Sequence, residues 1–320
     1  MPNHDFAYRS GGTYLNCPTR SEAPALPFGI AGLTYDGAVS NRPGARFGPQ
    51  AIRAASRMLC DATHPLFDTT PLGQLCDAGD LPLPNTELGA MRAALMPQAG
   101  ALLAAHHMVG LGGDHSVTLP ILRALHRQHG APVALLHFDA HCDTWHDHFG
   151  EPSGHGTWVS EAMREGLLIP TATVQIGIRS AAHSEARDYV TTCGGRVFPA
   201  RELRGLANAT QLAPILAEIR ERMRRAGNPP LYLTLDIDCL DPAFAPGTGT
   251  PEPGGLATDQ VLTIIEELAE LNWIGMDCVE VAPAYDHAEL TSNAASVFIW
   301  TYLCGQIRQQ ALRAAAPHAR

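Results

Sequence analysis

The most constraining feature of this chain is an apolar run that ends in closely spaced metal-binding residues. Residues 133–143 read Val-Ala-Leu-Leu-His-Phe-Asp-Ala-His-Cys-Asp, so the run ends in Asp139, His141 and Asp143. Strand side chains alternate between two faces, and residues two apart therefore share a face. Three such groups at the end of a buried strand are costly unless they are paired, and a bound cation is the simplest partner.

The same arrangement recurs at two other strand-like segments. Residues 231–235 are mostly apolar and precede Asp236 and Asp238, again two carboxylates on one face. Residues 107–111 precede Gly-Gly-Asp-His, which ends in His115. Open parallel sheets bind ligands outside the carboxyl ends of their strands. We therefore expect these imidazoles and carboxylates to meet at one edge of a sheet.

Strand-like and helix-like segments alternate along the chain. This pattern predicts an α/β fold, in which a mostly parallel central sheet is covered by helices on both faces as a three-layer αβα sandwich. We find no linker, internal repeat or low-complexity segment that would divide the chain. Residues 28–320 are therefore expected to form a single catalytic domain, and the Pro-rich, polar residues 1–27 an N-terminal arm.

Composition excludes several classes of partner. The 320 residues are 45% hydrophobic and carry a formal net charge of -10, with no basic stripe, which argues against nucleic acid. No run approaches the roughly 18 apolar residues of a membrane span. The first thirty residues lack the continuous apolar region of a secretory signal. We expect a cytoplasmic protein with no membrane partner.

The type of ligand favours a pair of manganese ions. An isolated Asp-X-Asp or Asp-X-His would be interpreted as a cap or a surface ion pair. Here two imidazoles and four carboxylates fall together at strand ends, with no cysteine in phase, and this set suits Mn²⁺ better than structural zinc. Six ligands are too many for one catalytic ion but fit two ions about 3.5–4 Å apart. His137 lies on the same face of the strand as Asp139, but we expect it to be a hydrogen-bonded core residue and not a metal ligand.

The motifs, taken in order, resemble those of the ureohydrolases, the arginase and agmatinase superfamily. They are residues 46–53 (Arg-Phe-Gly-Pro-Gln-Ala-Ile-Arg), 112–115 (Gly-Gly-Asp-His), 139–143 (Asp-Ala-His-Cys-Asp), 155–157 (His-Gly-Thr), 236–242 (Asp-Ile-Asp-Cys-Leu-Asp-Pro), 247–251 (Gly-Thr-Gly-Thr-Pro) and 279–281 (Val-Glu-Val). The resemblance covers residues 28–310 and is greatest to bacterial agmatinases. It implies an arginase-like fold and a homotrimer or homohexamer.

The resemblance also implies a site with two Mn²⁺ ions per subunit. One ion would be held by His115, Asp139, Asp143 and Asp236, and the other by Asp139, His141, Asp236 and Asp238. Asp139 and Asp236 would then bridge the pair. By the same resemblance His155 would shuttle a proton near the leaving group, Glu280 would pair with a guanidinium, and Thr250 would line the site.

These implied roles describe a hydrolase of guanidino compounds. Two ions would lower the pKa of a bridging water and hold the resulting hydroxide beside the guanidinium carbon, which it attacks. A carboxylate such as Glu280 can hold the planar guanidinium by paired hydrogen bonds. Asp143 and His155 are the candidates to protonate the leaving amine. The products are urea and an amine.

Residues 144–154 are expected to form much of the pocket rim and to select the substrate. Trp145 stands where arginases carry an asparagine that reads the amino-acid head group, which argues against arginine. Asp147 and Glu151 make the rim acidic, and it has no lysine or arginine, so a cationic substrate is favoured. We expect agmatine, cleaved to urea and putrescine as in polyamine biosynthesis. The expected substrate-binding residues are Trp145, Asp147, Glu151, Thr250 and Glu280.

Two alternative functions stay open, a guanidino-acid hydrolase and a non-catalytic homologue, and a third, a deacetylase, is disfavoured by the residues. The substrate could be a guanidino acid, 4-guanidinobutyrate or 3-guanidinopropionate, if Arg46, Arg179 or a neighbouring subunit supplies a basic partner; the rim also resembles guanidinobutyrase loops. A single-zinc deacetylase would not account for two Asp-X-Asp/His pairs plus His115. A non-catalytic metal-binding homologue would be expected to have lost ligands or Glu280, and none is lost.

Overall fold

The computed structural model describes residues 12–315, and its central element is one eight-stranded sheet. In chain order the strands are β1 (Phe28–Gly32), β2 (Leu75–Asp80), β3 (His107–Leu111), β4 (Val133–Phe138), β5 (Leu168–Ile176), β6 (Arg196–Phe198), β7 (Leu231–Asp236) and β8 (Trp273–Val279). Their spatial order is β2-β1-β3-β8-β7-β4-β5-β6, and every pairing is parallel. The strands β3, β8, β7 and β4 are therefore consecutive neighbours, and their carboxyl ends lie side by side.

Helices cover the sheet on both faces. In chain order they are α1 (Gly48–Ala55), α2 (Leu88–Leu103), α3 (Thr118–His129), α4 (Trp158–Arg164), α5 (Ser184–Arg187), α6 (Tyr189–Thr192), α7 (Ala200–Leu203), α8 (Ala209–Arg225), α9 (Thr258–Glu267) and α10 (Leu290–Ala315). Helices α1, α8, α9 and α10 pack in one core, and α2, α3 and α4 pack in the other. The three-layer α/β fold that the sequence predicts is confirmed.

Residues of each strand face the two helix layers in turn. In β4, Ala134, Leu136 and Phe138 pack in one core, whereas Val133 and Leu135 pack in the other. This follows from the two-residue alternation of strand side chains. Every residue of β4 and β7 is buried, as expected for strands covered on both faces. The strands therefore form a rigid base for the polar groups at their ends.

Strand β5 is longer than the sequence pattern suggests. We expect a strand from Thr173, but β5 begins at Leu168 and includes Pro170. Pairing with β4 is irregular there, since Val133 pairs with Leu168 and the next matched pair is Leu135 with Thr173. A proline, which has no N–H to donate, is tolerated at such an irregularity.

The start of the chain is described only in part. Residues 1–11 of the expected arm lie outside the described residues, so the predicted arm and domain boundary stay predictions. Tyr14 is buried; its hydroxyl donates to the Ser296 carbonyl at 2.7 Å, and its N–H donates to Asp77 at 3.0 Å. Across residues 12–315, no helix combines the length and hydropathy that a membrane span needs.

A buried ion pair joins α1 to strand β2. The Arg53 guanidinium donates to Asp77 through Nε at 2.8 Å and Nη2 at 2.9 Å, and to Asp80 through Nη1 at 2.5 Å. Arg53→Leu is expected to lower the free energy of unfolding by about 3–5 kcal/mol, because it leaves the Asp77 carboxylate buried and unpaired. Urea unfolding followed by circular dichroism would measure the loss. Arg225→Leu is the control, since its pair with Glu221 lies at the surface; equal losses in both variants would contradict the prediction.

Candidate metal centre and substrate pocket

The predicted metal ligands come from the ends of three strands, β3, β7 and β4, which lie within four consecutive strands of the sheet. Asp139 directly follows β4, Asp236 ends β7, and His115 begins a short 3-10 turn after β3. These side chains are buried, and the strand order brings them together although they are far apart in sequence. The expectation that these groups share one edge of the sheet therefore agrees with the structure.

The first group of ligand atoms surrounds one ring nitrogen of His115. Its Nδ1 lies 3.1 Å from Asp139 Oδ2, and 3.2 Å from the Oδ2 atoms of both Asp143 and Asp236. This Nδ1 is buried and has no hydrogen-bond partner. A buried nitrogen without a partner, facing three carboxylate oxygens, is an arrangement that a divalent cation would satisfy.

The second group surrounds His141. Its Nδ1 lies 3.0 Å from Asp238 Oδ2 and 3.3 Å from Asp139 Oδ1. Asp139 thus directs one oxygen at each group, as a bridging ligand must. Asp236 directs Oδ2 at the first group, while its Oδ1 accepts the N–H of Asp238 at 2.8 Å. Thr250 closes this side, because its hydroxyl donates to Asp238 Oδ2 at 3.1 Å.

Burial and neighbouring charges shift the pKa values of the groups in this cluster. Burial and the charge of Asp139 raise the pKa of Asp143 to about 8. Burial and the charges of Asp238 and Asp139 raise the pKa of Asp236 well above its usual value. Burial lowers the pKa of His115, but the surrounding carboxylates Asp139, Asp236 and Asp143 raise it well above its usual value. The cluster therefore favours added positive charge, which a metal pair would supply.

His137 orients Asp139 rather than joining the ligands. The Gln175 amide donates to the Cys142 carbonyl at 2.8 Å and to His137 Nδ1 at 3.0 Å. With Nδ1 accepting, the ring proton is on Nε2, which donates to Asp139 Oδ2 at 2.7 Å. His137 is fully buried, as a hydrogen-bonded core histidine should be.

A second chain of hydrogen bonds orients His115. Its Nε2 lies 2.8 Å from the Thr234 hydroxyl, which lies 2.5 Å from Asp277 Oδ1. A hydroxyl that donates its single proton to a carboxylate must accept from the imidazole, so Nε2 carries a proton, and in the neutral ring that a metal requires the Nδ1 lone pair faces the carboxylates. Asp277 also accepts from the hydroxyls of Thr118 and Tyr232, both at 3.0 Å.

Two of the three predicted catalytic residues adopt unusual backbone conformations. Asp143 has φ 52° and Glu280 has φ 62°, in the left-handed region that residues other than glycine seldom occupy. Such strain persists where the surroundings enforce it, and it concentrates at functional sites. Trp158, which belongs to none of the sequence motifs, donates its indole N–H to Asp143 Oδ2 at 2.6 Å. A buried indole requires such a partner, but the sequence does not identify which.

His155 is held from both ring nitrogens. Its Nδ1 lies 2.8 Å from Glu280 Oε1, which also accepts the N–H of His115 at 3.0 Å. Its Nε2 accepts the N–H of Ser40 at 3.1 Å and lies 2.9 Å from the Ser40 hydroxyl. Burial lowers the pKa of His155, but Glu280 outweighs that effect and the net pKa is about 9.

A pocket of about 430 Å³ lies above both ligand groups. Its walls are formed by Ser40, His141, Asp143, Trp145, Asp147, His148, Phe149, His155, Gly156, Ser180, Asp236 and Thr250. Three expected substrate-binding residues, Trp145, Asp147 and Thr250, are on these walls. Glu280 is buried behind His155, and Glu151 is exposed and is not on the walls, so its substrate role stays a prediction.

The chain matches known proteins over most of its length. A sequence model of the arginase family matches residues 26–305. This chain belongs to the arginase family. The agmatinase of Chromobacterium violaceum is 42% identical over 278 residues, which are 86% of this chain and 82% of that protein. The agmatinase of Serratia proteamaculans is 43% identical over 271 residues, 83% of each chain.

Solved structures of arginase-family proteins have the same fold. The proclavaminate amidino hydrolase from Streptomyces clavuligerus superposes with a TM-score of 0.86 at 36% identity, covering 95% of this chain and 99% of that one. A hypothetical agmatinase from Burkholderia thailandensis gives a TM-score of 0.85 at 37% identity, covering 96% and 93%. The ureohydrolase resemblance and the arginase-like fold inferred from the motifs are both confirmed.

We expect Thr234→Val to weaken Mn²⁺ binding by about 10–100-fold, because the valine cannot fix the tautomer and orientation of His115. Calorimetric titration of metal-free protein with Mn²⁺ would measure the change without any assay of turnover. Thr173→Val is the matched control: Thr173 is a buried strand threonine whose hydroxyl donates to the Ile169 carbonyl at 3.0 Å. Unchanged affinity in Thr234→Val would show that the hydroxyl does not orient the ligand.

Proposed function

We propose that this chain is an agmatinase, which uses two Mn²⁺ ions to hydrolyse agmatine to urea and putrescine. The observation that carries the proposal is the pocket above the two ligand groups, whose walls include Asp147 and, among the described residues, no lysine or arginine. Such a pocket suits a substrate that is cationic at both ends. The similarity to relatives named agmatinase, at 42–43% identity, supports the same assignment.

The metal ligands would be those the motifs indicate. His115, Asp139, Asp143 and Asp236 would hold one ion, and Asp139, His141, Asp236 and Asp238 the other. Oxygen and imidazole donors without thiolate suit Mn²⁺. When bound, the ions would lower the pKa of a shared water and supply a nucleophile at neutral pH. We further propose that the protein acts in the cytoplasm, in polyamine biosynthesis, as a homotrimer or homohexamer.

Protein side chains would bind the guanidinium group and donate a proton to the leaving amine. Glu280 uses Oε1 to accept from His115 N–H and to pair with His155, so Oε2 is the oxygen on which a guanidinium N–H can bind. Despite burial, Glu280 raises the pKa of His155 to about 9, so the ring readily takes up a proton, and its Nε2, which accepts the Ser40 N–H in this structure, lies on the pocket wall where such a proton can be passed on. From there it can donate a proton to the leaving amine, with Asp143 as the alternative donor.

Two arginines that could have favoured a guanidino acid are engaged elsewhere. Arg46 pairs with the buried Asp36. Arg179 donates to backbone carbonyls, among them Asp238 at 2.8 Å and Glu252 at 2.6 Å. Neither is on the pocket walls. Within the described chain, the groups that face the substrate tail therefore favour an amine over a carboxylate.

Urea release by the Mn²⁺-loaded protein should be measured in parallel with agmatine, 4-guanidinobutyrate, 3-guanidinopropionate and arginine. We expect kcat/KM for agmatine to exceed the others by about 10-fold or more, since pairing of the substrate ammonium with a wall carboxylate is lost in the acids. Preference for a guanidino acid would be compatible with the proposed metal chemistry but would contradict the assignment of agmatine as the substrate. No urea from any compound, with two metals bound, would reject the hydrolase assignment.

Asp143→Asn is expected to keep the fold and abolish hydrolysis, because an amide is a poor metal ligand and can neither take nor give the proton. Circular dichroism would verify the fold, and urea release would measure activity. Asp188→Asn is the control, since Asp188 is exposed and pairs with its neighbour Arg187. Full activity in Asp143→Asn would show that the site lies elsewhere.

A further inference from the structure

The tip of the pocket rim, residues 147–150, is a turn closed mainly on itself. Asp147 Oδ1 accepts the N–H of Gly150 at 2.8 Å. The backbones of His148 and Glu151 exchange two hydrogen bonds, of 2.7 and 3.0 Å. Both interactions stay within the turn, so they shape it but do not attach it to the rest of the protein.

The C-terminal base of the rim, by contrast, is firmly attached. Ser153 and Thr157 donate their hydroxyl protons to Glu161 at 2.7 and 2.6 Å, and Glu161 accepts from Arg92 of helix α2 at 2.9 Å. Arg92 and Glu161 are both buried. The base of the rim is therefore a fixed support against which the tip can be held.

The His148 ring makes the connection between tip and base. A Cβ placed on Gly154 would lie 2.3 Å from His148 Cγ and Nδ1 and 2.7 Å from its Cβ, so the side chain rests directly on the Gly154 backbone. The ring also meets the His155 ring edge-on, with centroids 5.8 Å apart and an interplanar angle of 84°.

We propose that His148 is a positioning residue that holds the rim tip against His155, and that position 154 is glycine because it must admit this ring. The proposal rests on the proposed function, since the tip carries Asp147, the carboxylate assigned to the cationic tail of the substrate. It also carries Phe149, whose side chain is on the pocket wall and could pack on the methylene groups of that tail.

Loss of the ring should therefore affect substrate binding more than the chemical step. His148→Ala is expected to raise KM for agmatine about 10-fold and to change kcat less than about 2-fold, because the tail contact is made equally in ground and transition states. His148→Phe keeps a flat ring over Gly154 and is expected to recover most of the lost affinity. His146→Ala is the matched control: His146 belongs to the same rim, is exposed, and pairs with Glu185 at the surface.

A pair of substitutions tests the contact with Gly154 directly. Gly154→Ala should act like removal of the ring, because the added methyl occupies the space of the His148 side chain. In a His148→Gly background the same methyl meets none of those atoms, so the double variant should match His148→Gly alone. Independent effects that add would contradict the proposal.

Deuterium exchange of residues 145–152 gives a readout that does not depend on turnover. We expect faster exchange in His148→Ala and Gly154→Ala than in the wild type and in His146→Ala. Unchanged exchange and an unchanged KM in His148→Ala would overturn the proposal.

The two proposals fail in different ways. If the wild type hydrolyses a different guanidino compound, the agmatine assignment fails and the same variants are compared on that compound. If the wild type hydrolyses agmatine and His148→Ala behaves like His146→Ala, only the role of His148 fails. If no compound is hydrolysed, the agmatinase assignment fails. The role of His148 is then judged by deuterium exchange alone, and unchanged exchange in His148→Ala would reject it.

Discussion

The central physical constraint on this structure is that several carboxylates are buried close together at the carboxyl ends of β4 and β7. Their mutual repulsion has to be offset by the groups around them. Asp139, Asp143 and Asp236 direct oxygens at one unpartnered nitrogen of His115, and Asp238 faces His141 nearby. In a dry interior these charges cannot all persist without compensation. No arginine or lysine of the described chain is on the walls above them, so the compensating charge comes from His115 and His141 or from bound cations. The cluster is therefore suited to binding cations.

The groups around the cluster limit how those cations can be held. His137 and Gln175 fix one oxygen of Asp139, and Thr234 with Asp277 fixes the tautomer of His115. Second partners of this kind set both the orientation and the basicity of metal ligands. The strained backbone at Asp143 and Glu280 is stabilised in the same way, since each side chain is tied to a buried neighbour. The strain is therefore sustained by packing around the site.

Much of this could be predicted from the sequence because it is local. The period-two pattern of residues 133–143 shows that Asp139 and His141 follow an apolar strand, whatever the rest of the fold does. Strands are expected at the apolar segments 107–111 and 231–235, and β3 and β7 are observed there. Other features depend on distant partners and left no local signal. Trp158 touches Asp143 only because α4 packs against that strand end, and Ser40 reaches His155 across 115 positions of sequence.

The sequence by itself determined the chemistry of this protein: which residues can bind metal, their phase on each strand, and membership of the arginase family, since motif spacing and side-chain parity are properties of the chain. The tertiary structure decided the geometry. Only the order β3-β8-β7-β4 places His115, Glu280, Asp236 and Asp139 on adjacent strand ends. Only the folded rim shows that His148 rests on Gly154 and that Glu151 does not line the pocket. Strand order and loop placement arise from packing between distant segments, which no local pattern records.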